Sequence, residues 1–149
     1  PEAKYGLESK VVDCTGKHPV ILRPGVITLE QLKKIDRNAV YQNRRGKIKS
    51  PGLKYKHYAP AAKVKLIMVS GLKIANLKSR SAYIGLSKKY AKKFEMVKIC
   101  KTIGEYAKNL FSFFRECDMY GIKIIYCQRV PESGVGLAIM NRLRKAIIN

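Results

Sequence analysis

Short apolar runs alternate with helical patterns through the C-terminal part of the chain. The runs cover residues 64–69, 82–86, 96–100 and 122–127, and runs of this kind are typical of strands buried on both faces of a sheet. Helical candidates lie between them at residues 71–78, 88–94 and 105–120. The alternation predicts a small Rossmann-like α/β domain over residues 61–149, with a parallel sheet and helices on both faces.

Two helices of this domain have a distinct apolar face. In the helix predicted over residues 105–120, that face holds Ala107, Leu110, Phe111, Phe114 and Cys117. Thr102 and Glu105 predict its capped start, and Gly121 predicts its end. The last helix is predicted over residues 137–148, with Leu137, Met140, Leu143 and Ile147 facing inward and Arg142, Arg144 and Lys145 facing outward.

The segment Ser133-Gly134-Val135-Gly136 places glycines just before the last helix. A helix N-terminus offers backbone N–H groups to an anion, but this segment follows the last predicted strand and lacks the full glycine pattern of a dinucleotide-binding loop. The favoured interpretation is therefore that the glycines allow close packing at the start of the helix and that a solvated arginine face follows around Asn141-Arg142.

A hairpin and a short helix precede the domain. Residues 10–14 and 19–23 have the pattern of two strands joined around Thr15-Gly16-Lys17. An isolated hairpin is marginally stable in water, so residues 1–36 are predicted to be the C-terminal end of another domain. Thr28 and Gln31 predict a capping box for a helix that runs to about residue 35.

Arg23 stands before a Pro24-Gly25 turn at the end of the second strand. Proline keeps the preceding residue extended, which directs the arginine side chain away from the strand end. A guanidinium so placed can bind a phosphate or a carboxylate with two N–H groups. From its position alone, an ordinary surface arginine fits as well.

Residues 37–60 are predicted to be an interdomain linker. The stretch from 36 to 50 is polar and basic without sustained periodicity, although Arg44-Arg45 is also suited to nucleic acid. The linker ends in Ser50–Pro60, SPGLKYKHYAP, whose tyrosine and histidine rings and lysines suit a planar anionic ligand such as a nucleotide. Composition alone favours an ordinary linker with tyrosines packed on a neighbouring domain.

Charge is the extreme feature of the composition. The 149 residues include 31 Lys and Arg against 10 Asp and Glu, for a net charge of +21. Such a charge favours phosphate-bearing partners. The lysines are scattered over the whole chain, however, and a solvated surface or a thermophile's lysine-rich composition explains them equally well.

Several classes of protein are disfavoured. No apolar run approaches the length of a membrane span and no signal peptide is evident, so a soluble cytoplasmic protein is expected. Four cysteines without C-x-x-C spacing and two histidines argue against a zinc site and for reduced thiols. No nucleophile with a neighbouring base and no paired carboxylates stand at catalytic spacing, so no catalytic residue is assigned.

Four stretches together resemble the two-domain form of the threonylcarbamoyl-AMP synthase family. They are Gly6–Asp13, Ile21–Gly25 with Ile27-Thr28, SPGLKYKHYAP, and the helical stretch from Gly134 to Leu143. The resemblance implies an enzyme that condenses L-threonine, bicarbonate and ATP, with Mg²⁺ accompanying the ATP, into threonylcarbamoyl-adenylate and pyrophosphate. It also implies a role in the threonylcarbamoyladenosine modification of tRNA.

The resemblance assigns roles to four residues of this chain. Ser9 matches the serine that contacts threonine, Arg23 the arginine at ATP, and Tyr58 the linker residue at the nucleotide, with His57 beside it. Two positions depart from the family's pattern: Lys10 replaces the usual threonine, and Leu53 replaces the usual methionine.

In the resembled family a YrdC-like N-terminal domain carries most of the active site, the linker closes over it, and a Rossmann-like domain follows. Because no lysine-arginine-serine motif of that active site is present and the sequence opens on Pro1, we expect a C-terminal piece that is inactive alone. Its expected partners are the missing YrdC-like domain and the downstream machinery that transfers threonylcarbamoyl to tRNA. The alternative is a basic RNA-binding or nucleotide-sensing accessory module without catalysis, which would bind tRNA directly.

Overall fold

The described residues of the chain form two sheets, one small and one large. The computed structural model describes residues 6–7, 9–42, 59–68, 80–89 and 91–147. The small sheet has three strands and comes from the front of the chain, and the large sheet has four strands and comes from the remainder. The helices α2 (Ile103–Met119) and α3 (Gly134–Ile147) belong to the larger unit.

The small sheet contains the predicted hairpin. Strand β1 (Val11–Asp13) pairs antiparallel with β2 (Val20–Arg23), and helix α1 (Leu29–Lys33) follows with the predicted capping box. In that box the Thr28 hydroxyl accepts from the Gln31 N–H, and the Gln31 side chain accepts from the Thr28 N–H. A third strand, β3 (Val40–Tyr41), pairs parallel with β2 inside the stretch predicted to be linker. The hairpin thus has a third strand that the sequence pattern did not indicate.

The large sheet confirms the predicted α/β fold. Its strands are β4 (Lys63–Ile67), β5 (Ser81–Gly85), β6 (Met96–Ile99) and β7 (Ile124–Gln128). All their pairings are parallel, in the order β4-β7-β5-β6. Helix α2 connects β6 to β7, and helix α3 follows β7.

The two faces of the large sheet are covered differently. Residues that alternate along the strands, such as Ile84 and Ile125, pack with α2 and α3 in the main core. On the opposite face Tyr83, Ile124 and Tyr126 form a second cluster with Phe94, whose ring stacks on Tyr83 at a centroid distance of 5.3 Å. The main core therefore lies between the sheet and a pair of helices.

The ends of α2 follow the predicted signals. The Thr102 hydroxyl accepts from the Glu105 N–H at 3.0 Å, and the helix stops before Gly121, which has a φ of +66°. A glycine adopts this left-handed conformation without the steric cost of a side chain. The boundaries of the longest helix could thus be read from the sequence to within about two residues.

One predicted helix is wrong and another lies outside the described residues. The stretch 88–94 forms only a short 3₁₀ turn, Ala91–Lys93. The chain must turn there so that Phe94 can enter the aromatic cluster below the sheet, which leaves too few residues for an α-helix. The helix predicted at 71–78 lies outside the described residues.

The front of the chain packs against the large unit. Leu7 is buried in the main core, and Val26 packs against the same core. Gly6 lies so close to the Lys108 carbonyl on α2 that a Cβ would have no room, and its φ of +62° is one that glycine tolerates best. The predicted division into domains at residues 36 and 60 stays a prediction, but residues within the described stretches 6–7 and 9–42 contact the helices of the large unit directly.

Candidate functional site

Ser9 and Arg23 lie next to each other at one end of the hairpin. Arg23 pairs with Val11 across the β1–β2 ladder, and its Nε donates a hydrogen bond to the Ser9 carbonyl at 3.0 Å. Ser9 is exposed and Arg23 is partly buried. The structure therefore brings together the residue predicted at threonine and the residue predicted at ATP.

The turn after Arg23 is buried. Pro24 and Gly25 are both buried between the hairpin and the large unit, and Val26 continues into the main core. Proline fixes its own φ and restricts the residue before it to an extended conformation. Arg23 thus stands where an exposed strand end meets a tightly held turn.

Lys10, the departure from the family's usual threonine, has a structural partner. Its Nζ donates to the Thr28 carbonyl at 2.9 Å, next to the start of α1. Burial lowers the pKa of Lys10, and the nearby Glu30 carboxylate opposes that shift. The ammonium group therefore joins the residue before β1 to the beginning of α1.

The N-terminus of α3 contacts an anionic group of the chain itself, the carboxylate of Glu30. The Gly134 N–H donates to Glu30 Oε1 at 3.3 Å, across 104 positions of sequence. Hydrogen bonds from its own backbone N–H and from the Thr28 hydroxyl are the main causes that lower the pKa of Glu30, and the Gly134 N–H adds to them. Gly136 packs against the Pro131 carbonyl without room for a Cβ, which confirms the predicted close packing at this glycine, whereas a Cβ on Gly134 would meet nothing within 4 Å.

Arg142 was predicted to face solvent, and that prediction is wrong. The side chain is 6% exposed, and its Nη2 donates to the Pro24 carbonyl at 3.3 Å. Its Nη1 donates to Asn141 Oδ1 at 2.8 Å. The polar character of arginine suggested an outward face, but the front of the chain covers this side of α3. Ile147, predicted to face inward, is instead 40% exposed at the last turn.

Asn141 makes a second contact with the front of the chain. Its Nδ2 donates to the Tyr41 hydroxyl at 3.2 Å. Tyr41 lies in β3 and is paired with Ile21 of β2. Sequence reasoning missed Tyr41 and Glu30 as contact residues, since neither belongs to a motif. An Asn-Arg pair within an apolar helix was the one available signal on the α3 side.

The aromatic residues of SPGLKYKHYAP lie outside the described residues, and these include Tyr58 and His57, both predicted at the nucleotide. Just beyond that stretch, the Ala61 N–H donates to Asp118 Oδ1 at 2.9 Å. The path of the chain into β4 is therefore fixed at the C-terminal end of α2.

A separate polar cluster lies at the carboxyl edge of the large sheet, where α/β proteins commonly bind ligands. Gln128 Oε1 accepts from the Tyr83 hydroxyl at 2.8 Å and from the N–H groups of Leu86 and Ser87 at 2.7 and 2.9 Å. Burial raises the pKa of Tyr83. The donors at this edge are thus bonded to a side chain of the protein itself.

The described ranges hold neither a grouped set of metal ligands nor a helix of membrane-spanning character. Within residues 6–7, 9–42, 59–68, 80–89 and 91–147, no three His, Cys, Asp or Glu side chains are grouped as a metal site would require. In the same part of the chain, none of the helices combines the length and the apolar character needed to cross a membrane.

The fold and these contacts define a class of protein: an α/β unit with a parallel sheet, onto which a hairpin carrying the candidate ligand residues is fixed. Comparison with known proteins then identifies the family. The sequence signature described as "Threonylcarbamoyl-AMP synthase, C-terminal domain" matches residues 27–147. The threonylcarbamoyl-AMP synthase of Pyrococcus abyssi (strain GE5 / Orsay) is 39% identical over 162 residues, which cover 97% of this chain and 47% of the relative.

Two solved structures of P. abyssi Sua5 have the same fold. A variant with an adjacent histidine and tyrosine replaced by alanine superposes with a TM-score of 0.78 at 32% identity, covering 96% of this chain and 45% of that one. The complex with L-threonine gives a TM-score of 0.76 at 32% identity, covering 96% and 46%.

The chain belongs to the threonylcarbamoyl-AMP synthase family and matches the C-terminal part of its members. This confirms the resemblance found in the sequence. The chain spans about half the length of the curated relatives it matches.

Proposed function

We propose that this chain is the C-terminal part of an L-threonylcarbamoyladenylate synthase that serves the threonylcarbamoyladenosine modification of tRNA. In the proposed reaction the amino group of threonine and bicarbonate form a carbamate with loss of water. A carbamate oxygen then bonds to the α-phosphorus of ATP while the bond to pyrophosphate breaks. The products are threonylcarbamoyl-adenylate and pyrophosphate.

The single observation that carries the proposal is the contact between Arg23 and Ser9. Arg23 Nε donates to the Ser9 carbonyl at 3.0 Å, so the residues proposed at ATP and at threonine occupy one end of the hairpin. An arginine is suited to the polyphosphate because its planar guanidinium carries five N–H donors and a permanent charge. P. abyssi Sua5 has been solved in complex with L-threonine, which supports threonine as the amino acid bound.

Tyr58 and His57 are proposed to contact the nucleotide from the linker. The solved P. abyssi variant replaces an adjacent histidine and tyrosine, and this chain has a single adjacent pair of that kind, His57-Tyr58. Rings with polar ends suit the base and ribose of a nucleotide. In the proposed arrangement the part of residues 37–60 that follows β3 links the YrdC-like domain to the Rossmann-like one and covers the active site.

The experiment is a pyrophosphate-release assay on the longer protein that carries this chain behind its YrdC-like domain, with Mg²⁺ present. We expect pyrophosphate only when threonine, bicarbonate and ATP are all supplied. Arg23→Ala is expected to lower kcat/KM by roughly 100-fold, because it removes a charged contact to phosphate. Tyr58→Phe should have a smaller effect, and Arg115→Ala, on the exposed side of α2, serves as the control. Release of pyrophosphate without threonine would exclude the proposed reaction.

The net charge of +21 supports a second candidate, direct binding of tRNA without catalysis. Its signature is an affinity that falls steeply with salt, because bound lysines and arginines displace counterions from the phosphates. A titration of this chain with tRNA at two salt concentrations distinguishes the two functions. Tight, salt-dependent binding together with an inactive longer protein would favour the second candidate.

A further inference from the structure

We propose that Arg142 is a positioning residue, which sets the direction of Arg23 by holding the carbonyl of Pro24 from helix α3. The inference rests on the proposed function, since it assigns α3 a role in ATP binding by Arg23. Arg142 belongs to the large unit, and its side chain contacts the turn that follows β2 of the hairpin.

The burial of Arg142 is the first observation. Among the residues that the structure describes, Arg142 is the one charged side chain that is buried, with 6% exposure. Arginine keeps its charge at any physiological pH, so a buried guanidinium must be stabilised by hydrogen bonds to oxygen. One of these bonds goes to the Pro24 carbonyl, 118 positions away in sequence and itself buried.

The location of that carbonyl is the second observation. Pro24 directly follows Arg23, and its carbonyl belongs to the peptide that leads into the buried turn at Gly25. On the other side, Arg23 Nε is bonded to the Ser9 carbonyl at 3.0 Å. Arg23 is therefore fixed on one side through its own side chain and on the other through the carbonyl that Arg142 holds.

A neighbouring contact acts on the same strand. Asn141 accepts from Arg142 Nη1 at 2.8 Å and donates to the Tyr41 hydroxyl at 3.2 Å. Tyr41 pairs with Ile21, two residues before Arg23 on β2. Two consecutive residues of α3 thus contact the end of β2 through Pro24 and through β3.

The geometry has a kinetic consequence. A shift of about 1 Å in a group that contacts substrate can lower the rate by roughly 100-fold. Releasing the Pro24 carbonyl would allow Arg23 to move while the apolar core of the large unit stays intact. The expected signature is weaker ATP binding, and not merely a smaller fraction of folded enzyme.

The test compares Arg142→Met, Arg142→Lys and Tyr41→Phe with the control Arg144→Met in the longer active protein. Arg144 lies on the same helix and pairs with Glu132 at the surface. We expect Arg142→Met to raise the KM for ATP about tenfold and Arg142→Lys to restore part of the loss. Tyr41→Phe should shift the KM for ATP slightly in the same direction, and Arg144→Met should match the wild type.

Amide hydrogen exchange gives a readout that needs no substrate. In this chain, Arg142→Met should speed exchange at Gly25 and Val26 while leaving the amides of β5 and β7 protected. A folded Arg142→Met protein with wild-type KM for ATP and wild-type exchange at the turn would overturn the inference. So would a fall in kcat at unchanged KM that matches the fall in the folded fraction measured by circular dichroism, because that result indicates only a general loss of folded enzyme.

The outcomes remain separable if variants fail in other ways. If Arg142→Met does not fold, wild-type KM for ATP in both Arg142→Lys and Tyr41→Phe would overturn the inference. If the wild-type protein releases no pyrophosphate, the proposed function fails, and the exchange rates at Gly25 and Val26 still decide whether Arg142 holds the turn.

Discussion

The front of the chain and the large sheet are stabilised in different ways. The large sheet has a continuous apolar core between its strands and the helices α2 and α3. In the front, helix α1 has no buried residue, and the contacts with α3 include single hydrogen bonds that α3 donates to Glu30, Pro24 and Tyr41. Apolar packing gives the sheet its stability, whereas the front combines a few apolar contacts, those of Leu7 and Val26, with polar contacts that set its orientation. The candidate ligand residues Ser9 and Arg23 belong to the front, whose orientation these polar contacts set.

The largest expected contrast is in cysteine reactivity. Cys14 in the front is exposed, while Cys100, Cys117 and Cys127 in the large unit are buried free thiols. Burial raises the pKa of Cys100 to about 11 and that of Cys117 to about 12, so at pH 8 both stay protonated. We expect an aromatic disulfide reagent to label Cys14 rapidly. The three buried thiols should react more slowly by a factor on the order of 1,000, because the core must open before the reagent can reach them. Rapid labelling of all four would remove the contrast.

Truncation of leucines should show the same contrast in stability. Leu110 on α2 is fully buried in the main core, and Leu32 on α1 is only partly buried. Leu110→Ala is expected to lower the free energy of unfolding by about 3 kcal/mol, because it leaves a cavity. Leu32→Ala should cost about 1 kcal/mol or less. Urea unfolding followed by circular dichroism measures both, and equal costs would contradict the distinction between the regions.

Substitution of Gln128 tests how much a polar contact contributes to the stability of the large unit. Gln128→Leu removes the acceptor for the Tyr83 hydroxyl and for two backbone N–H groups at the end of β5. We expect a loss of about 2 kcal/mol, since partly buried donors are left without an acceptor. Tyr83→Phe removes one donor and leaves the acceptor in use, so about 1 kcal/mol or less is expected. The comparison is made by urea unfolding, and a neutral Gln128→Leu would show that water replaces the amide oxygen.

The smallest effect is expected at the surface of the front region. A hydrogen bond from the His18 ring at 3.1 Å is the main cause that lowers the pKa of Asp36, with the Asn38 N–H as a second donor. A carboxyl whose pKa is lower in the folded state stabilises the fold above its unfolded pKa of about 3.9, and that stabilisation is lost as the pH falls through the folded value. In His18→Gln, the carboxyl carbon resonance of Asp36 should titrate at a higher pH, with part of the shift retained through Asn38. An unchanged midpoint would show that the His18 contact is not formed in solution.

The sequence predicted the apolar region better than the polar one, for physical reasons. The buried strands of the large sheet are continuous apolar runs, and α2 has both its cap at Thr102 and its stop at Gly121. The burial of a strand or a helix is a local pattern, so it is visible in a window of about ten residues. The predicted α/β fold was therefore confirmed, while the short 3₁₀ turn at Ala91–Lys93 was missed because it depends on where Phe94 packs.

The polar contacts depend on residues that are far apart in sequence. The position of Arg142 follows from its bond to Pro24, 118 positions away, and that of Glu30 from Gly134, 104 positions away. No periodicity relates such residues, and a charged side chain is by default placed on the outer face of a helix. The two residues of β3 are likewise too few for a strand pattern. Ser9 and Arg23 could be proposed through the family's motifs, but their mutual contact could be seen only in the structure.

The order of the strands bears on how the protein is made. Strand β7 lies between β4 and β5, although it is the last of the four to be synthesised. Among the described strands β4 pairs only with β7. During synthesis, roughly sixty more residues must therefore be added after β4 before β7 is available to pair with it. During that interval its exposed edge is open to other nascent chains or to chaperones. Because β7 lies between β4 and β5, the large sheet can be completed only after nearly the whole of this chain has been translated.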